Sequence, residues 1–343
     1  MSGPDPAALR VGIVGCGRMG GRRARALGGD QLVGCYDVDP SLTAELAAGF
    51  EGKACAELDE LLELQPDVVI VAVPHHELAD IACRALEAGL HVLVEKPVGI
   101  GVRDVDRVSA AAESAGRRVK VGFNHRFYPG IARALQEVSS GRFGDVMFAR
   151  VRYGHGGRIG YEREWRLKRE LSGGGELLDQ GMHVLDLLHW LMGPLPVQST
   201  LLRTQFWETG VEDNAAMILG EAGDRGGPWA MFHVSWTEWK NLFSLEIYCR
   251  TGKLRVDGLA GSYGSQVLTI YAMKPELGPP DVERIDYPSE DVSWAEEWRH
   301  TREAIRAADG RPLLGDLSSA RYAWECVEHA YASAGYPLWE AAR

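Results

Sequence analysis

The sequence predicts an α/β protein in two parts: an N-terminal doubly wound parallel sheet, and a C-terminal α/β domain built on a large, open, mostly antiparallel sheet. Three observations predict it. At 343 residues the chain exceeds what one ordinary core organises. Its first third alternates short β-branched runs with helical stretches, as a parallel sheet with crossover helices does. From Val197 to about Pro288 it runs strand after strand with turn residues between them.

In order, strands are expected at Arg10 to Val14, Gln31 to Tyr36, Val68 to Val73, His91 to Glu95 and Arg118 to Phe123. Helices fill the gaps, around Arg22 to Leu27, Leu78 to Ala88 and Val102 to Ala115, and Asp39-Pro40-Ser41 opens another with proline at an early helical position. After Phe123 the rhythm changes, so domains are expected at 1–123 and 124–343. A helix near Pro129 to Ser139 and a strand near Asp145 to Tyr153 lead into an irregular Gly- and Arg-rich loop. Gly173 to Gly175 then opens a long apolar helix ending at Gly193. Turns at Glu221 to Pro228, Thr251-Gly252 and Gly258 to Gly264 punctuate the antiparallel region, and helices near Trp294 to Ala308 and Leu317 to Ala332 close the chain.

The composition, 45% hydrophobic and 25% charged, is that of a globular protein, and no apolar stretch approaches a bilayer-spanning length. Met1 to Pro6 lacks the basic start and apolar run of a secretory signal, so a cytoplasmic location is expected. Cys16, Cys35, Cys55, Cys83, Cys249 and Cys326 stand singly, with no CxxC pair, and read as small buried apolar residues. A net charge of −11 argues against nucleic acid as a partner. One local exception is basic: Arg150, Arg152, Arg158, Arg163, Arg166, Lys168 and Arg169 are opposed along the chain by Glu162 and Glu164. It is either a solvated loop or an anion site.

Gly15-Cys16-Gly17-Arg18-Met19-Gly20 follows the apolar strand Val11 to Val14 and opens a helix, the context in which GxGxxG signals a dinucleotide. The glycines allow a tight turn, close backbone approach to pyrophosphate, and close helix packing, while the helix N-terminus holds the anion. Asp37 ends the next strand 17 residues beyond Gly20, near the separation expected of an acid that binds the adenosine ribose diol. A carboxylate there repels the extra phosphate of NADP, so NAD is favoured. Arg18 leaves dual use open.

Lys96, in Glu95-Lys96-Pro97, lies at the carboxyl end of a predicted parallel strand, where ligands of open α/β sheets bind. Downstream, Asp179 and His183 are four apart in a predicted helix, hence on one face, and can share a proton path. A metal reading of Asp179, His183, Asp186 and His189 is weighed and set aside, because no further ligand can be pointed to; no metal is expected.

The order of the GCGRMG turn, Val73-Pro74, the EKP triplet, Gly122-Phe123-Asn124-His125-Arg126-Phe127, Trp165-Arg166 and GGGELLDQGMH resembles the Gfo/Idh/MocA family of NAD(P)-dependent sugar and inositol oxidoreductases. The resemblance runs through essentially the whole chain. It implies a Rossmann domain followed by an α/β domain whose open sheet often makes dimer or tetramer contacts. It implies catalytic roles for Lys96, Asp179 and His183. It implies cofactor contacts at Gly15, Cys16, Gly17, Arg18, Met19, Gly20, Asp37, Val38, Ala72, Val73, Pro74, His75, Glu95, Lys96, Asn124, Trp165 and Arg166. Substrate contacts are expected at Lys96, Arg126, Arg158, Tyr161, Asp179, His183 and Trp236. Val73-Pro74-His75 departs from the Thr-Pro-Asn of many members, which leaves the contact at His75 open.

On this reading His183 takes a hydroxyl proton while hydride leaves to the nicotinamide, Asp179 orients His183, and the Lys96 ammonium stabilises the developing alkoxide. The segments Tyr153 to Tyr161 and Ser235 to Asn241 resemble those of members associated with nucleotide-sugar and aminosugar pathways, and the arginines suit a pyrophosphate, so the expected substrate is a nucleotide-activated sugar of an aminosugar or secondary-metabolite pathway. Free inositol or an aminocyclitol is the near alternative. An NAD-dependent glycoside hydrolase and a non-catalytic, cofactor-binding regulator are the readings from other classes. A homo-oligomer is expected, with no nucleic-acid or membrane partner.

Overall fold

The computed structural model describes residues 8–223, 226–307 and 312–336. The readings at Met1 to Pro6, Ala308 and part of the Glu221 to Pro228 turn lie outside these residues. The chain forms two compact units: one runs to Phe123 and takes in Trp294–Arg321, and the other holds Asn124–Ser293 and the chain from Tyr322 onward.

In the first unit, β1 (Arg10–Val14), β2 (Gln31–Tyr36), β3 (Lys53–Ala54), β4 (Val68–Val71), β5 (His91–Val94) and β6 (Val119–Val121) form a parallel sheet in the order β3-β2-β1-β4-β5-β6. Strand order reverses between β1 and β4. Every residue of β4 is buried, as expected of a parallel strand covered on both faces. The crossovers are α1 (Arg18–Arg25), α2 (Pro40–Phe50), α3 (Leu58–Glu63), α4 (His75–Glu87) and α5 (Val102–Ala115). Helix α1 starts four residues before the expected Arg22, directly on the glycine-rich turn. Asp39 caps α2 by accepting from the Ser41 amide, with Pro40 in the first turn.

The segment from Trp294, expected in the second domain, packs with the first unit instead. The Trp298 indole donates to Asp30 (2.9 Å), Arg118 donates to the Ala304 carbonyl, and the Val121 amide to the Gly315 carbonyl. A helical pattern reveals its apolar face but not which sheet that face will cover, so the sequence left this partner undetermined.

The second unit carries α6 (Pro129–Ser139), α7 (Arg169–Ser172), α8 (Met182–Met192) and an eight-stranded sheet. The strands are β7 (Val146–Gly154), β8 (Val197–Arg203), β9 (Asn214–Leu219), β10 (Trp229–Ser235), β11 (Leu242–Cys249), β12 (Gly252–Asp257), β13 (Val267–Ala272) and β14 (Asp281–Asp286). Their order is β14-β13-β12-β11-β7-β10-β9-β8, and every pairing is antiparallel except β7 with β10. Ala149, Val151 and Tyr153 of β7 and Ala230, Phe232 and Val234 of β10 face the buried side. Alternation therefore puts Phe148, Arg150 and Arg152 on the other side. The last two helices are α9 (Ser293–Arg306) and α10 (Leu317–Ser333).

Candidate active site

In the first unit the residues after β1 make a cradle. The Gly15 amide donates to the Tyr36 carbonyl (2.8 Å). A Cβ on Gly15 would lie 2.4 Å from the Ala72 carbonyl oxygen, and one on Gly20 would lie 1.9 Å from that of Gly15. Neither position admits a side chain. On the side where Gly17 would carry a Cβ nothing approaches within 4 Å. Gly17 caps α1 with no side-chain hydrogen bond, so the first-turn amides face outward as an anion site. Asp37, just beyond β2, accepts from the Cys16 amide (2.7 Å) through one carboxylate oxygen and from the Asp39 amide (2.9 Å) through the other. The acid is thus fixed against the turn. Ala72, Val73 and Pro74 follow β4 half-buried, at the point where strand order reverses and open α/β sheets take their ligands. The cradle fits a dinucleotide pyrophosphate and ribose.

Around it, Arg18 is exposed, Met19 half-buried, Val38 87% exposed, and His75 buried at the start of α4. The Cys16 thiol, in contact with the Cys35 thiol and buried, titrates far above the usual range, so it offers no thiolate.

Lys96 follows β5, half-buried at the same carboxyl edge. Its neighbour corrects an expectation. The Glu95 carboxylate accepts from Arg23 Nε (2.6 Å), and Arg23 Nη1 meets Glu297 (2.5 Å), which also binds Lys120 Nζ (2.7 Å). Glu95 belongs to this buried network, rather than presenting its carboxylate to a cofactor. Burial alone would raise Glu297, but Lys120 and Arg23 beside it hold its carboxyl below the usual range. Sequence reading missed Lys120 and Glu297. A lysine between two valines in the short β6 was the available signal.

In the second unit the Gly173 to Gly175 stretch leads into a wider turn, a π-helical segment at Leu177–Gly181, which runs into α8. A Cβ on Gly175 would lie 2.1 Å from the Glu212 carbonyl oxygen. That close approach lets the Glu212 carboxylate accept from the Leu177 amide (3.0 Å) and the Tyr331 hydroxyl (2.9 Å). Fully buried, Glu212 has its carboxyl pushed up to about 7 by desolvation. Asp179 lies in this π segment and His183 in the first turn of α8, so the stretch between them is not the regular α-helix expected.

Asp179 Oδ2 stands 3.9 Å from Arg166 Nε, whose guanidinium lies over the Trp165 ring. His183 is 7% exposed and stacks on His125, with ring centroids 3.9 Å apart. His125 Nδ1 is 3.2 Å from Asn124 Oδ1, and Asn124 Nδ2 donates to Ser293 Oγ (2.9 Å). Asn124, expected at the nicotinamide, thus has both ends of its buried amide engaged with protein and sets the His125 ring. Tyr153 packs 5.3 Å from His125, and Tyr263 lies 5.5 Å from Tyr153. The carboxylates of Asp179 and Glu176 act on Tyr153, Tyr161 and Tyr263, although burial is the first cause that keeps all three phenols protonated. Tyr263 was not among the expected site residues, because a tyrosine in a Gly-rich turn carries no chemical signature.

Two expected substrate contacts are corrected. Arg126 makes a buried bidentate pair with Asp186, through Nε (2.8 Å) and Nη2 (2.6 Å), so its fork is closed to a ligand. Trp236 is 0% exposed, in a core with Tyr161, Leu167, Trp207 and Val211. Tyr161 keeps its ring in that core. Arg158 is exposed and paired with Glu164. The basic stretch is likewise not one anion site: Arg150 pairs with Glu246 (3.0 Å), Arg166 approaches Glu164 (3.7 Å) and Arg163 approaches Glu162 (3.8 Å). Arg150 and Arg152 also lie on the sheet face opposite Tyr153. Of the carboxylates and histidines weighed as metal ligands, Asp186 is held by Arg126, and His189 stacks on Tyr322 at 4.5 Å.

A glycine-rich cradle at the switch point of a parallel sheet, followed in one chain by an α/β unit with an open sheet, is the architecture of a Rossmann-type dinucleotide-binding protein. The chain belongs to the Gfo/Idh/MocA family: residues 9–123 match its N-terminal model, described as an oxidoreductase family with an NAD-binding Rossmann fold, and residues 131–255 match its C-terminal domain. Among curated relatives, 1-carboxy-3-chloro-3,4-dihydroxycyclohexa-1,5-diene dehydrogenase of Comamonas testosteroni is 35% identical over 194 residues, covering 53% of this chain and 47% of the relative. Levoglucosan dehydrogenase of Pseudarthrobacter phenanthrenivorans is 27% identical over 235 residues, covering 64% and 60%. The chain thus spans about half to three fifths of the length of these relatives. The crystal structure of GenD2 from gentamicin A biosynthesis, in complex with NAD, superposes with a TM-score of 0.79 at 25% identity, covering 97% of each chain. Among the described residues no helix is long and apolar enough to cross a membrane.

Proposed function

We propose that this chain is an NAD-dependent dehydrogenase that converts a secondary hydroxyl of a sugar or cyclitol to a ketone, or the reverse. The observation that carries the reading is the Gly15 to Gly20 turn closed onto Asp37, at the same sheet edge as Lys96. When bound, NAD supplies the hydride acceptor. His183, its ring plane set by stacking on His125, takes the hydroxyl proton. Asp179 orients His183, and the Lys96 ammonium stabilises the alkoxide as it forms.

Two relatives are named as dehydrogenases of a dihydroxycyclohexadiene and of levoglucosan, which supports a cyclic polyol. Because the arginines of the basic stretch are largely matched by carboxylates, we read the substrate as an uncharged ring rather than a nucleotide-activated sugar. We also read the protein as a cytoplasmic homo-oligomer. All six cysteines are free thiols, and Trp229, Met231, Ile218 and Leu201 form an exposed apolar patch on the outer sheet face that suits a second copy.

The test is NAD reduction over levoglucosan, inositol, glucose 6-phosphate, free hexoses and UDP-hexoses. Turnover of a neutral ring, lost by about 100-fold or more in Lys96→Met with NAD binding retained, is the expected result. Preference for the UDP-hexose restores the nucleotide-sugar reading. Sugar release without net NADH makes the chain a hydrolase, and binding of NAD without any turnover makes it a regulator.

A further inference from the structure

The geometry points to a substrate-reading subsite at Gln180: its amide oxygen accepts a hydrogen bond from one ring hydroxyl of the polyol, and Tyr263 and Tyr153 hold the amide in place. The inference deepens the dehydrogenase reading and rests on it for the kind of ligand. Gln180 lies in the π segment between Asp179 and His183 and is 6% exposed. Its Nε2 donates to the Tyr263 hydroxyl at 2.9 Å, while its buried Oε1 has no hydrogen-bond partner among the described residues. Turning the amide over would only exchange the two ends: one meets the phenol, and the other is left for a ligand. A buried amide oxygen is rarely left this way, and where it occurs it calls for a partner.

The surroundings define which partner. Tyr263 reaches Gln180 from the loop after β12, held by the Gly258 amide on the Phe243 carbonyl (3.0 Å), the Gly261 amide on the Ser289 carbonyl (3.1 Å), and Asn241 on Ser262 Oγ (2.7 Å). The Tyr153 ring packs beside it, 5.5 Å between centroids, and buttresses the phenol that meets the amide. Burial, then the Glu176 carboxylate, keeps the Tyr263 phenol protonated. With carboxylates at Glu176 and Asp179 nearby, the subsite suits a neutral donor and repels an acid. Gln180 adjoins Asp179 in sequence, and Tyr263 feels the same charge, so the hydroxyl that it reads belongs to the ring that His183 deprotonates. Discrimination follows from what happens without that hydroxyl: a deoxy ring leaves the buried oxygen unpaired.

The full-length protein, its Gln180→Leu, Gln180→Glu and Tyr263→Phe variants, and a set of levoglucosan, inositol and hexoses with their monodeoxy counterparts make the test. Binding to the NADH complex is measured by calorimetry and NAD reduction separately. Gln180→Leu is expected to weaken binding and raise KM about 10- to 100-fold for the preferred polyol. It should leave one monodeoxy analogue unaffected, the one that lacks the hydroxyl read. Gln180→Glu, which keeps an acceptor, should retain most of the discrimination, and Tyr263→Phe should blunt it in part. An equal loss on parent and all deoxy analogues, no loss on the parent, or a wild-type protein that binds none of these polyols overturns the subsite. Polyol binding that depends on Gln180 without NAD reduction supports the subsite and overturns the dehydrogenase reading instead.

Discussion

Replacing Glu297 with glutamine should destabilise the first unit by about 3 to 5 kcal/mol, the range for removing one partner of a buried charge pair. The structure gives the reason. Arg23 and Lys120 are balanced by Glu95 and Glu297, and the side chains of Arg23, Lys120 and Glu297 are no more than 1% exposed. Glu297 bridges the two cations, at 2.5 and 2.7 Å. Its neutral amide leaves two buried cations against the single carboxylate of Glu95, away from bulk solvent. Urea unfolding followed by tryptophan fluorescence reads the loss, and Trp298 and Trp294 belong to the same unit. Lys120→Met in the same chain should recover much of it, because it restores the balance of charge. The pH dependence has a fixed sign. A carboxyl held low in the folded state contributes stability that is present above its unfolded pKa, about 4.3, and disappears as pH falls through the folded value. Wild type should therefore lose this increment in acid, and Glu297→Gln should not. A cost below about 1 kcal/mol, or no rescue by Lys120→Met, would refute the reasoning.

Gly20→Ala should abolish NAD binding and cost stability, since the added methyl meets the Gly15 carbonyl oxygen at 1.9 Å; isothermal titration and melting report the two effects. Trp236→Ala should cost about 3 to 5 kcal/mol in unfolding while Trp236→Phe leaves KM nearly unchanged, as befits a core side chain; a large KM effect from the conservative change would return Trp236 to the substrate. Glu212, raised to about 7, binds more protons in the folded than in the unfolded state, so stability should fall as pH rises from about 4.5 through 7. Glu212→Gln should flatten that slope and gain a few kcal/mol relative to wild type above pH 8, as denaturation at several pH values would show.

The parallel sheet was legible because its strands are buried on both faces and read as unbroken apolar runs, of which Val68–Val71 is the clearest. The cradle was legible because glycine spacing and Asp37 are local features. What escaped reading depends on distance in the chain or on the helix period. Lys120 and Glu297 are 177 residues apart, and nothing in either neighbourhood announces the other. The π segment is invisible to a 3.6-residue period, so Asp179 and His183 were assigned an ordinary helical spacing. Arg126 and Trp236 have side chains common at sugar sites, yet one is closed by Asp186 and the other by its core, because residue type is blind to burial.

The single parallel joint of the large sheet, β7 beside β10, has a consequence for assembly. Parallel neighbours need a long return path, and here the path is the whole stretch between Gly154 and Trp229, which carries Asp179, Gln180 and His183. The two halves of the sheet cannot zip together until that excursion has collapsed into place. Folding of the segment to which we assign the proton chemistry and closure of the seam are therefore one event, and damage to either should appear as slow, error-prone maturation of the other.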